Sequence, residues 1–94
     1  MRTVFRYFRP DDRAEFFRMA KKFYAPPAVL HFPSDEVMLS SFDASIEMPE
    51  LVKGIMFEVG GTSAGYAVVS MKFETEVGGM AAWIEELFVD DDDS

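Results

Sequence analysis

The sequence predicts an α+β fold in the order β-α-α-β-β-β, with two helices laid on an antiparallel sheet. Three observations lead there. Apolar residues recur at helical spacing through the first half of the chain. After Pro49 that spacing gives way to strand-like runs, and paired glycines cut those runs into hairpin lengths.

Each element has its own signal. TVFRYFR, residues 3–9, alternates apolar and basic side chains around Val4, Phe5, Tyr7 and Phe8 and reads as a first strand. Pro10, Asp11 and Asp12 suit a helix start, where proline has no needed amide hydrogen and carboxylates meet the positive end of the dipole. Phe16, Phe17, Met19, Ala20, Phe23 and Tyr24 follow at helical spacing, and Pro26 and Pro27 stop the helix. AVLHFP is a connector. Ser34 is placed to cap a second helix, whose Met38, Leu39, Phe42 and Ile46 share one face and which ends at Pro49. LVKGIMFEV and AGYAVVSMKFE form a hairpin across the turn GGTS, and TEVGG leads to a last strand, MAAWIEELFV, residues 80–89. That strand is apolar on both faces, which predicts an inner position with neighbours on each side.

Composition narrows the class. Ninety-four residues, 49% of them hydrophobic, make one domain over 1–94 and exclude a disordered chain. Such a chain buries about 60–65% of its unfolded surface. No apolar run approaches the roughly 20 residues of a membrane span, and the start carries no signal-peptide core. Without cysteine there is no disulfide, thiolate nucleophile or cysteine zinc site. A soluble, cytoplasmic protein is expected. The net charge of −8 is uneven: residues 1–22 hold seven basic and three acidic groups, residues 23–94 two basic and fourteen acidic ones. An acidic surface of that extent repels nucleic acid and suits a cationic small molecule. A basic helix face lying against an acidic remainder explains the same asymmetry.

GYAVVS and WIEELFV, placed in this β-α-α-β-β-β order, resemble the third and fourth strands of the GNAT N-acetyltransferase superfamily. FYAPPAVLHFPSDE is similar to the region between its two helices, and the likeness spans residues 3–90. IEELFV is nearest to the strand of the polyamine acetyltransferase type. The resemblance implies the N-terminal half of an acetyl-CoA-dependent fold. In that family the fourth strand runs into a glycine-rich segment at a helix start, which holds the pyrophosphate of acetyl-CoA on backbone amides. Here VDDDDS stands in its place, so the strand's missing neighbour and the phosphate loop are expected beyond Ser94.

The same resemblance nominates site residues. Glu85 and Glu86 occupy positions where family members hold the substrate amine or take its proton through water. Neighbours on a strand are expected to point to opposite faces, and one of the pair has an alternative role as ion-pair partner of an arginine from the first strand or helix. Leu87, Phe88 and Val89 would serve the acetyl and pantetheine groups through backbone amides, with side chains in the core. Tyr24, His31 and Phe32 flank the connector and line the acceptor pocket in this reading, or simply pack. Asp90 to Asp93 lack the spacing of a calcium loop and read as a solvated acidic turn. Gly60, Gly61, Gly78 and Gly79 read as turn glycines.

The expected function is therefore acetyl transfer from acetyl-CoA to a primary amine of a small cationic acceptor, with no metal. Alone, the chain would be inactive for want of the phosphate site. The alternative is a non-catalytic half-domain that binds or assembles. In both, residues 80–89 need cover, and a homodimer through them is expected.

Overall fold

The computed structural model describes residues 2–25 and 33–90. Strand β1 (Thr3–Tyr7) leads through one 3₁₀ turn (Pro10–Asp12) into helix α1 (Arg13–Phe23), and α2 (Asp35–Glu47) follows. Strands β2 (Val52–Val59), β3 (Thr62–Glu74) and β4 (Gly79–Val89) complete the chain. They form one antiparallel sheet in the order β1-β2-β3-β4. The predicted class and element order hold. The connector containing His31 and Phe32 lies outside the described residues.

Local chemistry accounts for the boundaries. Pro10 opens a 3₁₀ turn instead of the helix itself, so α1 begins three residues later than expected. The Ser34 hydroxyl accepts the Val37 amide, the predicted cap of α2. Gly60 and Gly61 turn the β2–β3 hairpin at φ of 60° and 83°, angles costly to residues with a side chain.

The main core cluster lies on one face of the sheet. Phe16, Met19 and Ala20 from α1 and Met38 and Phe42 from α2 pack on Phe8, Met56, Tyr66 and Val68. The ring of Phe8 crosses Gly54, where a Cβ would overlap it, and stands 5.1 Å from Phe42 and 5.5 Å from Phe16. Phe16 in turn sits 4.7 Å from Tyr66. Such aromatic pairs contribute about 0.5–1.5 kcal/mol beyond the area they bury.

Two features of the sheet go beyond the pattern of its strands. First, β1 turns its charge inward and its aromatics outward: Arg6 faces the helices, while Phe5 and Tyr7 are 69% and 66% exposed. Arg6 is satisfied there because both its amino groups bond Asp12, at 2.8 and 2.9 Å, and Glu58 accepts from it at 2.9 and 3.1 Å. Asp12 also accepts the Arg9 amide at 2.7 Å, so this network ties the start of α1 to the sheet. Secondly, the side chains at the end of β4 are not all in the core. Among the described residues β4 pairs with β3 alone, and Ile84, Leu87 and Val89 are more than half exposed. Phe88 alone of the last three packs on the core cluster.

Candidate functional site

The pairing of β3 with β4 carries an irregularity at the candidate acids. Val68 faces Glu86, but Val69 faces Ile84, which leaves Glu85 as an extra residue in β4. A bulge of this kind breaks the two-residue alternation of the strand. Glu85 and Glu86 therefore do not diverge to opposite faces. The Ser70 hydroxyl donates to Glu85 at 2.6 Å and the Tyr66 hydroxyl to Glu86 at 2.9 Å. Tyr66, Val68 and Ser70 share the helix-side face of β3, so both carboxylates reach the same row.

Their environments differ. Glu86 is buried at 8% exposure, whereas Glu85 stands in solvent. Tyr24, at the C-terminal end of α1, comes beside Glu86. Its phenol is pushed up to about 12, chiefly by burial and then by the Glu86 charge. Burial, followed by the same charge, raises Tyr66 well above the ordinary phenol range. Both phenols thus stay protonated at neutral pH, and that of Tyr66 donates to the carboxylate. Among the described residues no cation pairs with Glu86 or Glu85. Three of the arginines once eligible are engaged elsewhere: Arg6 with Asp12 and Glu58, Arg13 with Asp43, Arg18 with Glu15 and Asp90.

Around these acids lies an aromatic and acidic border. Phe23 packs 4.8 Å from Tyr24, Phe88 lies 5.8 Å from Tyr66, and the Trp83 indole donates to Glu74 at 3.1 Å. The structure brings together Glu85, Glu86, Tyr24 and Phe88. It turns Leu87 and Val89 to the other face of the sheet. Sequence reasoning missed Tyr66 and Ser70, which hold the two carboxylates. Their place two and six residues after Ala64 on a strand next to IEELFV was the available signal.

Asp90 corrects another expectation. It is not solvated: its side chain is 7% exposed and accepts from Arg18 at 3.2 Å and Lys22 at 3.0 Å. Its amide also donates to Ala64 at 2.8 Å, fixing the end of β4 against α1 and β3. Basic residues in the last turn of α1 were the sequence sign of it. Asp91 to Asp93 lie outside the described residues.

A separate concavity lies elsewhere among the described residues. A cleft of about 410 Å³ between α2 and strands β1 and β2 is lined by Tyr7, Phe8, Ser45, Ile46, Val52 and Lys53. It holds no carboxylate and lies across the sheet from Glu86. Among the described residues no acidic or histidine cluster is set to hold a metal ion, and no helix is long and apolar enough to cross a membrane.

Comparison with known proteins identifies the architecture. Neither a family model nor a curated protein sequence matches the chain. Solved structures do. An integron cassette protein from the mobile metagenome of Cole Harbour Salt Marsh superposes with a TM-score of 0.81 at 22% identity, over 95% of this chain and 57% of that one. A predicted acetyltransferase from Clostridium acetobutylicum, solved with acetyl-CoA, gives 0.73 at 11% identity, over 98% and 62%. AAC(6')-Iy, solved with the bisubstrate analogue CoA-S-monomethyl-acetylneamine, gives 0.73 at 13% identity, over 97% and 59%. The four antiparallel strands and two helices are the N-terminal part of the GNAT acetyltransferase fold. The chain spans about 60% of the length of these neighbours.

Proposed function

We propose that this chain is the acceptor side of an N-acetyltransferase that acetylates a primary amine of a small cationic molecule, polyamines being the class that fits best. One observation carries the reading: the β4 bulge brings Glu85 and Glu86 to one face, the second buried against two protonated phenols. A substrate ammonium would find there the cation that Glu86 lacks among the described residues. The neighbours with acetyl-CoA and with an amine bisubstrate analogue support the reaction class.

Acetyl-CoA would supply an activated thioester, and formation of the C–N bond releases the CoA thiol. The ammonium must first lose a proton, and Glu85 or Glu86 takes it directly or through water. Tyr66 and Ser70 hold the two carboxylates in place, and Tyr24 borders the amine. The backbone of Leu87, Phe88 and Val89 lies on a strand with no partner beyond it among the described residues, so amides on that edge are open to the acetyl oxygen. His31 and Phe32 would line the acceptor side from the connector. Pyrophosphate fits less well: no helix start adjoins the end of β4 among the described residues, so this 94-residue chain should bind acetyl-CoA weakly.

The test is an NMR titration of the chain with spermidine. Saturable shifts at Tyr66, Glu85 and Glu86, weakened roughly tenfold by Glu86→Gln, are expected. A chain whose spectrum ignores spermidine, or responds equally when Glu86 and Glu85 are both Gln, removes the proposed amine site. Calorimetry should show no tight binding of acetyl-CoA, and binding with a dissociation constant near 1 μM would contradict the weak coenzyme site.

A second reading, an assembly module, draws on the outer edge of β4, which has no strand partner among the described residues. In it, residues 80–89 lie in a homodimer contact.

A further inference from the structure

We infer that Asp90 is a positioning residue of the acceptor site: clamped by Arg18 and Lys22, it secures the end of α1 so that Tyr24 stays against Glu86. The inference rests on the amine reading of Glu86 and adds what keeps the surroundings of that acid in place.

Both contacts join the same two elements. Residues two apart on a strand share a face, and Glu86, Phe88 and Asp90 all turn toward the helices. Phe88 packs on the core cluster. On one side of it Glu86 meets Tyr24, and on the other Asp90 meets Arg18 and Lys22. Arg18 and Lys22 stand four residues apart, so they lie along one stripe of α1 and can reach a single carboxylate together. The Asp90 side chain is 7% exposed, whereas the two cations are 43% and 40% exposed. The Asp90 amide also donates to the Ala64 carbonyl at 2.8 Å. The strand end is thus the anchor, and the helix is what the clamp secures.

The end of α1 needs securing. Phe16, Met19 and Ala20 are fully buried and fix the middle of the helix. Beyond them the last turn rests on Phe23 and Tyr24, both half-buried and 4.8 Å apart. Tyr24 caps the helix at φ −91° and ψ 5°, without the left-handed residue that closes many helix ends. The last carbonyls of a helix lack partners within it, so a turn without such a closure loosens readily. Charge-assisted bonds are the stronger kind of hydrogen bond, and two of them cross here from α1 to β4. A loosened end would take the Tyr24 phenol away from the acid that an amine has to meet.

Two variants release the clamp from opposite sides: Asp90→Asn, and the double variant Arg18→Gln with Lys22→Gln. Circular dichroism verifies folding, and Lys22→Gln alone replaces the double variant if that one fails to fold. Asp90→Asn makes the chain less acidic and the double variant makes it more acidic. Simple attraction would therefore weaken spermidine binding in the first and strengthen it in the second, and would move the Tyr24 titration down and up in the same order. The clamp predicts one sign for both. Spermidine should bind about fivefold more weakly in each, and Tyr24 should titrate closer to about 10. Asp90→Glu keeps the charge and should restore part of both. Effects of opposite sign in the two variants overturn the inference. So do wild-type Tyr24 titration and spermidine affinity alongside a lowered urea midpoint, which would make Asp90 a stabilising contact alone. A wild-type chain that ignores spermidine overturns the amine reading together with this inference, whereas a wild type that binds it, with both variants binding equally well, overturns the inference alone.

Discussion

The two faces of this sheet use the same kinds of residue to opposite effect. On the helix side, Tyr66, Met56, Phe8 and Val68 are closed off by five apolar residues of α1 and α2. On the other, Phe5, Tyr7, Phe73 and Leu87 stand in solvent. Composition does not distinguish them; the position of the helices does. Polar groups follow the same division, since Arg6, Asp12, Glu58 and Glu86 all lie on the closed side and all are bonded. The lesson is that a buried face can hold charge when every group has a partner, whereas an open apolar face asks for a partner of its own.

The largest way to break the comparison is to exchange an aromatic on each face. Tyr66→Ala should destabilise the chain by about 3–5 kcal/mol, since it empties the centre of the core and strips Glu86 of its donor. Phe5→Ala should change the monomer by no more than about 0.5 kcal/mol. Urea unfolding at low concentration measures both. Equal losses would mean that the outer face is as structural as the inner one.

A middle-sized effect belongs to the Arg6 network. The Arg6 guanidinium, bonded to both Asp12 oxygens, holds that carboxyl below the usual carboxylate range against the opposing effect of burial, and the Arg9 amide helps. The folded value is depressed. Its contribution is therefore complete above the ordinary aspartate value of about 3.9 and is lost as pH falls through the lower folded value. Asp12→Asn should cost about 2 kcal/mol at neutral pH, less than a fully buried pair, because Arg6 keeps Glu58 and is 16% exposed. The variant should also lose part of the acid sensitivity. An unchanged acid limb in a stability–pH curve would show that Asp12 does not carry it.

Much of this was legible in the sequence, and the misses have physical causes. Helix faces, the Ser34 cap and the turn glycines each rest on local geometry, which the sequence states directly. The side chains of Leu87 and Val89 were read as core because two-sided apolarity signals a need for cover without saying what supplies it. Glu85 and Glu86 were assigned to opposite faces because strict alternation assumes that no residue is inserted. The bulge depends on how β3 and β4 pair, which no single strand reveals. Asp90 was misplaced, and the side taken by Arg6 was not legible, for a related reason. Each is inside only because partners from distant elements, Glu58 for one and Arg18 and Lys22 for the other, meet it there. Of the candidate site, the acids were visible as a pair, but the tyrosine and serine that orient them were not.

The smallest effect sharpens the site itself. Tyr24 titrates at about 12, raised first by burial and next by the Glu86 carboxylate. An unfolded phenol titrates near about 10, so the neutral form is the one the fold favours. The stability it contributes is complete below that value and is lost as pH rises from about 10 through the folded value. Glu86→Gln removes the charge and leaves the burial. Tyr24 should then titrate part of the way back toward about 10, with the larger cause still in place. Carbon-13 NMR of the tyrosine Cζ resonances follows this directly, and Tyr24→Phe assigns the signal. If the Tyr24 titration is the same in both proteins, Tyr24 does not sit beside Glu86, and the candidate acceptor site loses the phenol that the end of α1 brings to it.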